Sequence, residues 1–176
     1  MIYSKQDITF AIEEKFSAFS NYVAAQDEIE FVSAPARKWA PGQHLDHLIK
    51  TTRPVNIGLG LPSIICRIMF GKPNRKERSY EELVEKYKGK LTAGAKAPRI
   101  FVPPAVSFKN KNEKIENFLS QKEKLKRKIA SFSEDQLSSF LLPHPLLGKL
   151  TLREMLYFTA YHTEHHLELI KKYRLQ

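Results

Sequence analysis

Thr151-Leu-Arg-Glu-Met-Leu-Tyr-Phe-Thr-Ala-Tyr-His162-Thr-Glu-His-His166-Leu-Glu-Leu-Ile-Lys-Lys-Tyr173 is the stretch whose reading decides the fold. Thr151-Leu152-Arg153-Glu154 has the form of a capping box, which opens a helix. Leu152, Met155, Leu156, Thr159, Leu169, Ile170 and Tyr173 then mark one face at helical spacing. At about 100° per residue, His162 and His166 fall in the middle of that stripe. His165 lies roughly 100° from its centre, toward solvent or a flank. Two imidazoles one turn apart thus stand where a helical bundle ordinarily keeps leucine.

Working outward, the same period recurs. Ile8, Ile12, Phe16, Phe19 and Val23 predict an amphipathic helix over 7–26. Trp39-Ala40-Pro41-Gly42 opens another, since proline suits a first helical turn. Leu45, Leu48, Thr52, Val55 and Leu59 mark its face, with Pro54 expected to kink or end it. Ser79-Tyr80-Glu81-Glu82 caps a short helix to about 91. Ile115, Phe118, Leu119, Leu125, Ile129 and Phe132 make 111–132 a third long helix. Ser133-Glu134-Asp135-Gln136 caps a short one, ended by Pro143-His144-Pro145. Residues 92–108 hold three prolines and a glycine without sustained period, a loop long enough to be a lid or binding segment. The one strand candidate is 99–102. The expectation is an all-α four-helix bundle with short extra helices and one long loop, a single domain over 1–176.

Composition excludes several classes. The 176 residues are 42% hydrophobic and 27% charged, ordinary for a globular chain. Seven glycines form no phosphate-binding loop. A single cysteine, Cys66, precludes an intramolecular disulfide or a cysteine-based zinc site, and reads as a buried small hydrophobe. Its apolar surroundings, 59–70, are too short to span a membrane and are broken by Pro62 and Arg67. Met1-Ile2-Tyr3-Ser4-Lys5-Gln6-Asp7 carries no signal-peptide pattern, so a cytoplasmic protein is expected. The net charge is +10, mostly spread along the chain, with a local concentration at Lys122, Lys124, Lys126, Arg127 and Lys128. That run reads as a solvated helix face. Without interleaved aromatics it predicts at most salt-sensitive, sequence-independent binding, hence no specific nucleic-acid partner.

Side chains at i and i+4 are neighbours on a helix, so His162 and His166 can share one ion. The plain alternative is two core histidines hydrogen-bonded to hydroxyl or backbone groups. Further histidines on another helix favour the metal. The general-base glutamate of His-Glu-x-x-His is missing, because Glu164 stands one place too late. A third ligand is sought at His44 or His47, and the helical wheel slightly prefers His44. His144, between two prolines, reads as structural.

Two blocks make the sequence recognisable: Trp39-Ala-Pro-Gly-Gln-His-Leu-Asp-His47-Leu, and His144-Pro-Leu-Leu-Gly-Lys-Leu-Thr151 running on through His162-Thr-Glu-His-His166-Leu. In their order and spacing they resemble the DinB/YfiT-like superfamily of metal-binding four-helix bundles. The resemblance implies the ligand set His47, His162 and His166 for a divalent ion, zinc or nickel, replacing the wheel's choice. Where many members carry glutamine three residues after the last histidine, this chain has Leu169. Relatives of this kind include thiol S-transferases and a thiol-dependent isomerase. The implied activity is therefore a metal-dependent, thiol-dependent S-transferase acting on a small-molecule thiol and an electrophile. A metal-dependent hydrolase and a non-catalytic metal-binding or partner-binding bundle are the alternatives. Asp46, Glu164 and Glu168 are candidate partners for imidazole N–H groups, and Arg99 a candidate substrate contact. The resemblance also implies a homodimer, with Phe10, Tyr22 and Tyr157 as candidate contact surface.

Overall fold

The computed structural model describes residues 4–174. Met1–Tyr3, part of the segment in which no leader pattern is read, and the last two residues of the expected 1–176 domain lie outside the described residues.

Four long helices form the bundle: α1 (Lys5–Ala24), α3 (Pro41–Gly58), α6 (Lys111–Ser131) and α8 (Leu152–Arg174). α1 packs on both α6 and α8, and α3 packs on the same two. Short helices α2 (Glu28–Val32), α4 (Ser63–Phe70), α5 (Tyr80–Thr92) and α7 (Glu134–Ser139) are set between them. The apolar stripes meet as their spacing requires. Phe16 stacks on Phe118 with ring centroids 4.5 Å apart, and Phe19, Leu45, Leu48, Leu125, Ile129 and Leu156 are sealed around them. Burying a side chain of this size contributes about 1.5–3 kcal/mol.

The capping signals form as read. The Ser79 hydroxyl accepts from the Glu82 amide, Ser133 from that of Gln136, and Thr151 from that of Glu154. Glu154 returns the favour to the Thr151 amide at 3.0 Å. Its carboxylate is wholly buried and also receives Arg75 through two bonds of 2.6 and 2.7 Å. That pair ties the extended segment before α5 to the start of α8.

Four expectations are corrected. Of the two outcomes expected at Pro54, an end to the helix does not occur, because α3 runs on to Gly58. Proline removes one helical hydrogen bond, but packing on both sides of it holds the helix: Thr52 and Asn56 are buried, and Asn56 Nδ2 donates to Gln121 of α6 at 2.9 and 3.0 Å. The strand candidate at 99–102 is a 3-10 turn over Arg99–Phe101. Strands lie instead at β1 (Leu141–His144) and β2 (Gly148–Thr151), an antiparallel hairpin pairing Leu141 with Thr151 and His144 with Gly148. Gly148 closes it at φ +79°, a conformation glycine adopts without the penalty of a side chain. The basic run of α6 is a solvated face only in part, through the exposed Lys124 and Arg127. Lys122 is buried, and it and Lys126 both reach Glu13 of α1 at 2.5 Å. Finally, Tyr157 is buried edge-on against Tyr80 and offers no contact surface, whereas Phe10 is exposed.

Cys66 is buried, as expected, but the apolar helix around it is not. Ile64, Ile68 and Met69 of α4 are exposed. Among the described residues no helix is long and apolar enough to cross a membrane.

Candidate metal centre

α3 and α8 face each other across the site, and each presents histidines there on successive turns. His162 and His166, at i and i+4 on α8, place their Nε2 atoms 3.0 Å apart. His47 of α3 brings its own Nε2 to 3.3 Å from that of His162. One ligand-capable nitrogen from each of the three lies within 4.8 Å of the other two. All three side chains are buried. Nitrogens bound at about 2.0–2.1 Å to one ion stand roughly 2.9 Å apart at right angles and about 3.3 Å apart at tetrahedral angles. The observed spacings span that range.

Accounting for protons separates an ion site from a core hydrogen-bond network. His47 Nδ1 is 2.8 Å from the carbonyl oxygen of Phe101. A carbonyl only accepts, so Nδ1 holds the proton and Nε2 offers a lone pair to the cluster. His166 Nδ1 is 2.7 Å from His44 Nδ1. With His166 donating, its Nε2 is bare as well, and His162 Nε2 faces two bare nitrogens with at most one proton to offer. With His44 donating instead, a proton on His166 Nε2 serves His162, and the contact of His162 with His47 still has none. A cation meets all three lone pairs where a single proton cannot.

Burial favours the ligating form. Desolvation pushes His44 down to about 3, with repulsion from a charged His47 adding to it. It lowers His47 too, against the opposing pull of the Phe101 carbonyl and Asp46. His162 and His166, fully enclosed and facing other imidazoles, are held well below the ordinary histidine value. Neutral imidazole is what binds a metal.

The long loop takes part through its backbone. Gln43, His47 and Lys50 sit at i, i+4 and i+7 on α3 and donate to the carbonyls of Pro103, Phe101 and Val102 respectively. Trp39 stands beside the cluster, parallel to the His166 ring at 6.2 Å and tilted on His47 at 4.9 Å. Phe158 stacks on His162 at 4.9 Å. In front of the imidazoles opens a cavity of about 400 Å³, walled in part by Tyr87, Phe101, Met155, Phe158 and His165.

The structure thus brings His47, His162 and His166 together, with His44 behind His166. The other candidates go elsewhere. Asp46 pairs with Lys114 at 2.6 Å and Lys50 at 3.1 Å. Burial works to raise its carboxyl, but those two ammonium groups outweigh it and hold the carboxyl below its usual value. Glu164 pairs with Lys15 at 2.8 Å, and Glu168 with Lys171 at 2.9 Å. Arg99 is exposed and forms no part of the cavity wall. His165 is half-buried beside Tyr87, in the wall but outside the cluster. His144 accepts at Nδ1 from the Leu146 and Leu147 amides, the structural role its setting suggests. The Phe101 carbonyl went unread in the sequence because a backbone oxygen leaves no mark there. Trp39 was visible as part of a motif, without a sign that its ring would line the site.

These features are those of a known class. The family profile of the DinB superfamily matches residues 12–170, and the chain belongs to that superfamily. Among solved structures it is similar to the colibactin self-resistance protein ClbS, crystallised in complex with a double-stranded DNA. The likeness covers 98% of this chain and 96% of that one, at 17% identity and a TM-score of 0.58, and so concerns the fold. No curated protein matches the sequence. The ClbS complex corrects the expectation of no specific nucleic-acid partner, since a protein of similar fold is there in complex with double-stranded DNA.

Proposed function

We propose that the protein is a metal-dependent enzyme, with His47, His162 and His166 holding a divalent ion, zinc or nickel, in a thiol-dependent S-transfer reaction. The observation that carries this reading is the convergence of three neutral Nε2 atoms at 3.0 and 3.3 Å with too few protons to satisfy them. Three histidine ligands leave a position open for a reactant; when bound, such an ion acidifies a thiol or water and polarises an electrophile. The chain's own groups do the rest. The Phe101 carbonyl fixes the His47 tautomer, and His44 orients His166. Trp39 and Phe158 cover the rings and keep bulk water off them. Tyr87, pushed up to about 12 by burial, stays a phenol that can donate to a substrate atom.

Metal analysis of protein purified without a histidine tag, paired with a thiol-conjugation screen, tests the proposal. About one equivalent of metal and chelator-sensitive thiol consumption are expected. Protein without metal, whose stability ignores chelators, would place it among non-catalytic bundles. Metal with hydrolysis and no thiol requirement would favour the hydrolase.

A second reading has its own support: the net charge of +10 and the DNA-bound relative favour binding to double-stranded DNA. Fluorescence anisotropy with a duplex at about 150 mM salt tests it, because purely electrostatic binding fades there. Persistent binding supports the reading, and its disappearance refutes it.

A further inference from the structure

No charged side chain walls the cavity in front of the imidazoles. Among the described residues, no lysine, arginine, aspartate or glutamate lines it. Asp46 is engaged by Lys50 and Lys114, and Glu164 by Lys15, while Arg53, Lys96 and Arg99, next in sequence to lining residues, are exposed. Two hydroxyls of the wall are already committed. Thr51 Oγ1 donates to the His47 carbonyl at 3.0 Å, and Thr159 Oγ1 to that of Met155 at 2.8 Å. Val55, Leu91, Leu142, Met155 and Phe158 supply the surface around the imidazoles.

The apolar character continues outward. Ile57 lines the cavity and is 60% exposed, which puts it at the mouth. Leu61, just before α4, and Phe70, its last residue, line it too. A charged group carried into such a space costs several kcal/mol with no partner to offset it. Each apolar carbon brought in is favoured by about 25 cal/mol per Å² buried.

From this wall we propose that the site takes a substrate whose body, beyond the reacting atom, is uncharged and apolar, entering past Ile57. The inference rests on the metal reading for the reacting end, where an ion is the one place a substrate charge can be met. Carboxylate, phosphate or ammonium groups on the rest of the molecule must stay outside in the solvent.

N-phenyl-1-naphthylamine and 8-anilino-1-naphthalenesulfonate share one skeleton and differ by a sulfonate, so they isolate charge as the variable. Both are titrated by fluorescence into the full chain, as purified and after chelator stripping. In stripped protein the neutral probe should bind at least about tenfold more tightly, a modest fraction of the charge-burial cost. Ile57→Glu, at a position open enough to accept a charge, should weaken neutral-probe binding at least about fivefold. Ile68→Glu, on the exposed α4 face outside the cavity wall, should leave it unchanged. Equal affinities for the two probes would overturn the inference. So would binding lost in Ile68→Glu but kept in Ile57→Glu, because the α4 surface would then be the site. Metal content is measured on the same samples. Charge-selective binding by a chain that never retains metal upholds the cavity's selectivity and sinks the metal reading. Stoichiometric metal with equal probe affinities does the reverse.

Discussion

Replacing His44 with alanine isolates what a ring behind the metal centre does. His44 sits on α3 beside His47, and the two have expected consequences of different size. His166 is only 5% exposed, and its Nδ1 has His44 Nδ1 at 2.7 Å. Truncation leaves the His166 N–H facing a hole instead of an acceptor. An unmet buried donor costs about 1–3 kcal/mol, which converts to roughly a five- to 150-fold loss of metal affinity. Water entering the hole would pull the value toward the lower end. His44→Gln restores an acceptor and should recover part of the loss. His47→Ala removes a ligand and should abolish stoichiometric loading outright. His165→Ala, outside the cluster, should bind as the parent does. Competition with a chromophoric chelator at pH 7.5 reads all four variants on one scale. If His44→Ala matches the parent, the positioning argument fails. If His44→Ala loses the metal while His47→Ala keeps it, the ligand assignment is wrong and the helical wheel's first preference stands.

Three further outcomes are expected. Glu154→Gln should destabilise by about 3 kcal/mol, the low end for a broken buried ion pair because Arg75 is partly exposed; for a chain of this size that lowers Tm by roughly 6–12 °C. A loss under about 1 kcal/mol in urea unfolding would show that the pair does not anchor α8. Burial holds His144 down to about 4, so the unfolded chain takes up a proton that the fold excludes. In metal-free protein His144 should contribute that stability above pH ~6.5 and lose it, at up to about 1.4 kcal/mol per pH unit, as pH falls toward 4, on top of the shares of His44, His162 and His166; an unchanged slope in His144→Ala would contradict the assignment. Gly42→Ala should cost about 1–3 kcal/mol, because its Cβ would stand 2.7 Å from the Phe31 ring; an unchanged denaturation midpoint would mean that the ring yields freely.

The long helices were legible because their apolar residues repeat over five or six turns, more than chance alternation supplies. Capping boxes at Ser79, Ser133 and Thr151 set starting points because a cap is a local hydrogen-bond pattern. The hairpin at 141–151 was hidden for the converse reason. Its strands have four residues each, too few for period two to show, and Pro143 argues against a strand. α4 shows another limit: Ser-Ile-Ile-Cys-Arg-Ile-Met-Phe announces apolar residues but not the direction in which they face. At the site, spacing was enough to pick out His162 and His166. Choosing between His44 and His47 was beyond it, because both rings are buried on the same side of α3 and differ in which nitrogen they turn to α8. The acidic partners sought for the imidazoles were misplaced, since lysines on neighbouring helices compete for the same carboxylates.

The hydrogen bond from His47 to the Phe101 carbonyl would link the long loop thermodynamically to an ion held by the three histidines. Whatever the ion gains from a loop already in place, the loop gains from the ion, because a coupling free energy is shared by both events. Loading the metal should therefore slow proteolytic nicking between residues 92 and 108, and cutting the loop should weaken metal binding. A substrate that presses the Arg99–Phe101 turn inward would tighten the ion, and one that displaces the turn would loosen it. Occupancy of the centre would then report on the cavity, with no contact between substrate and ligands required.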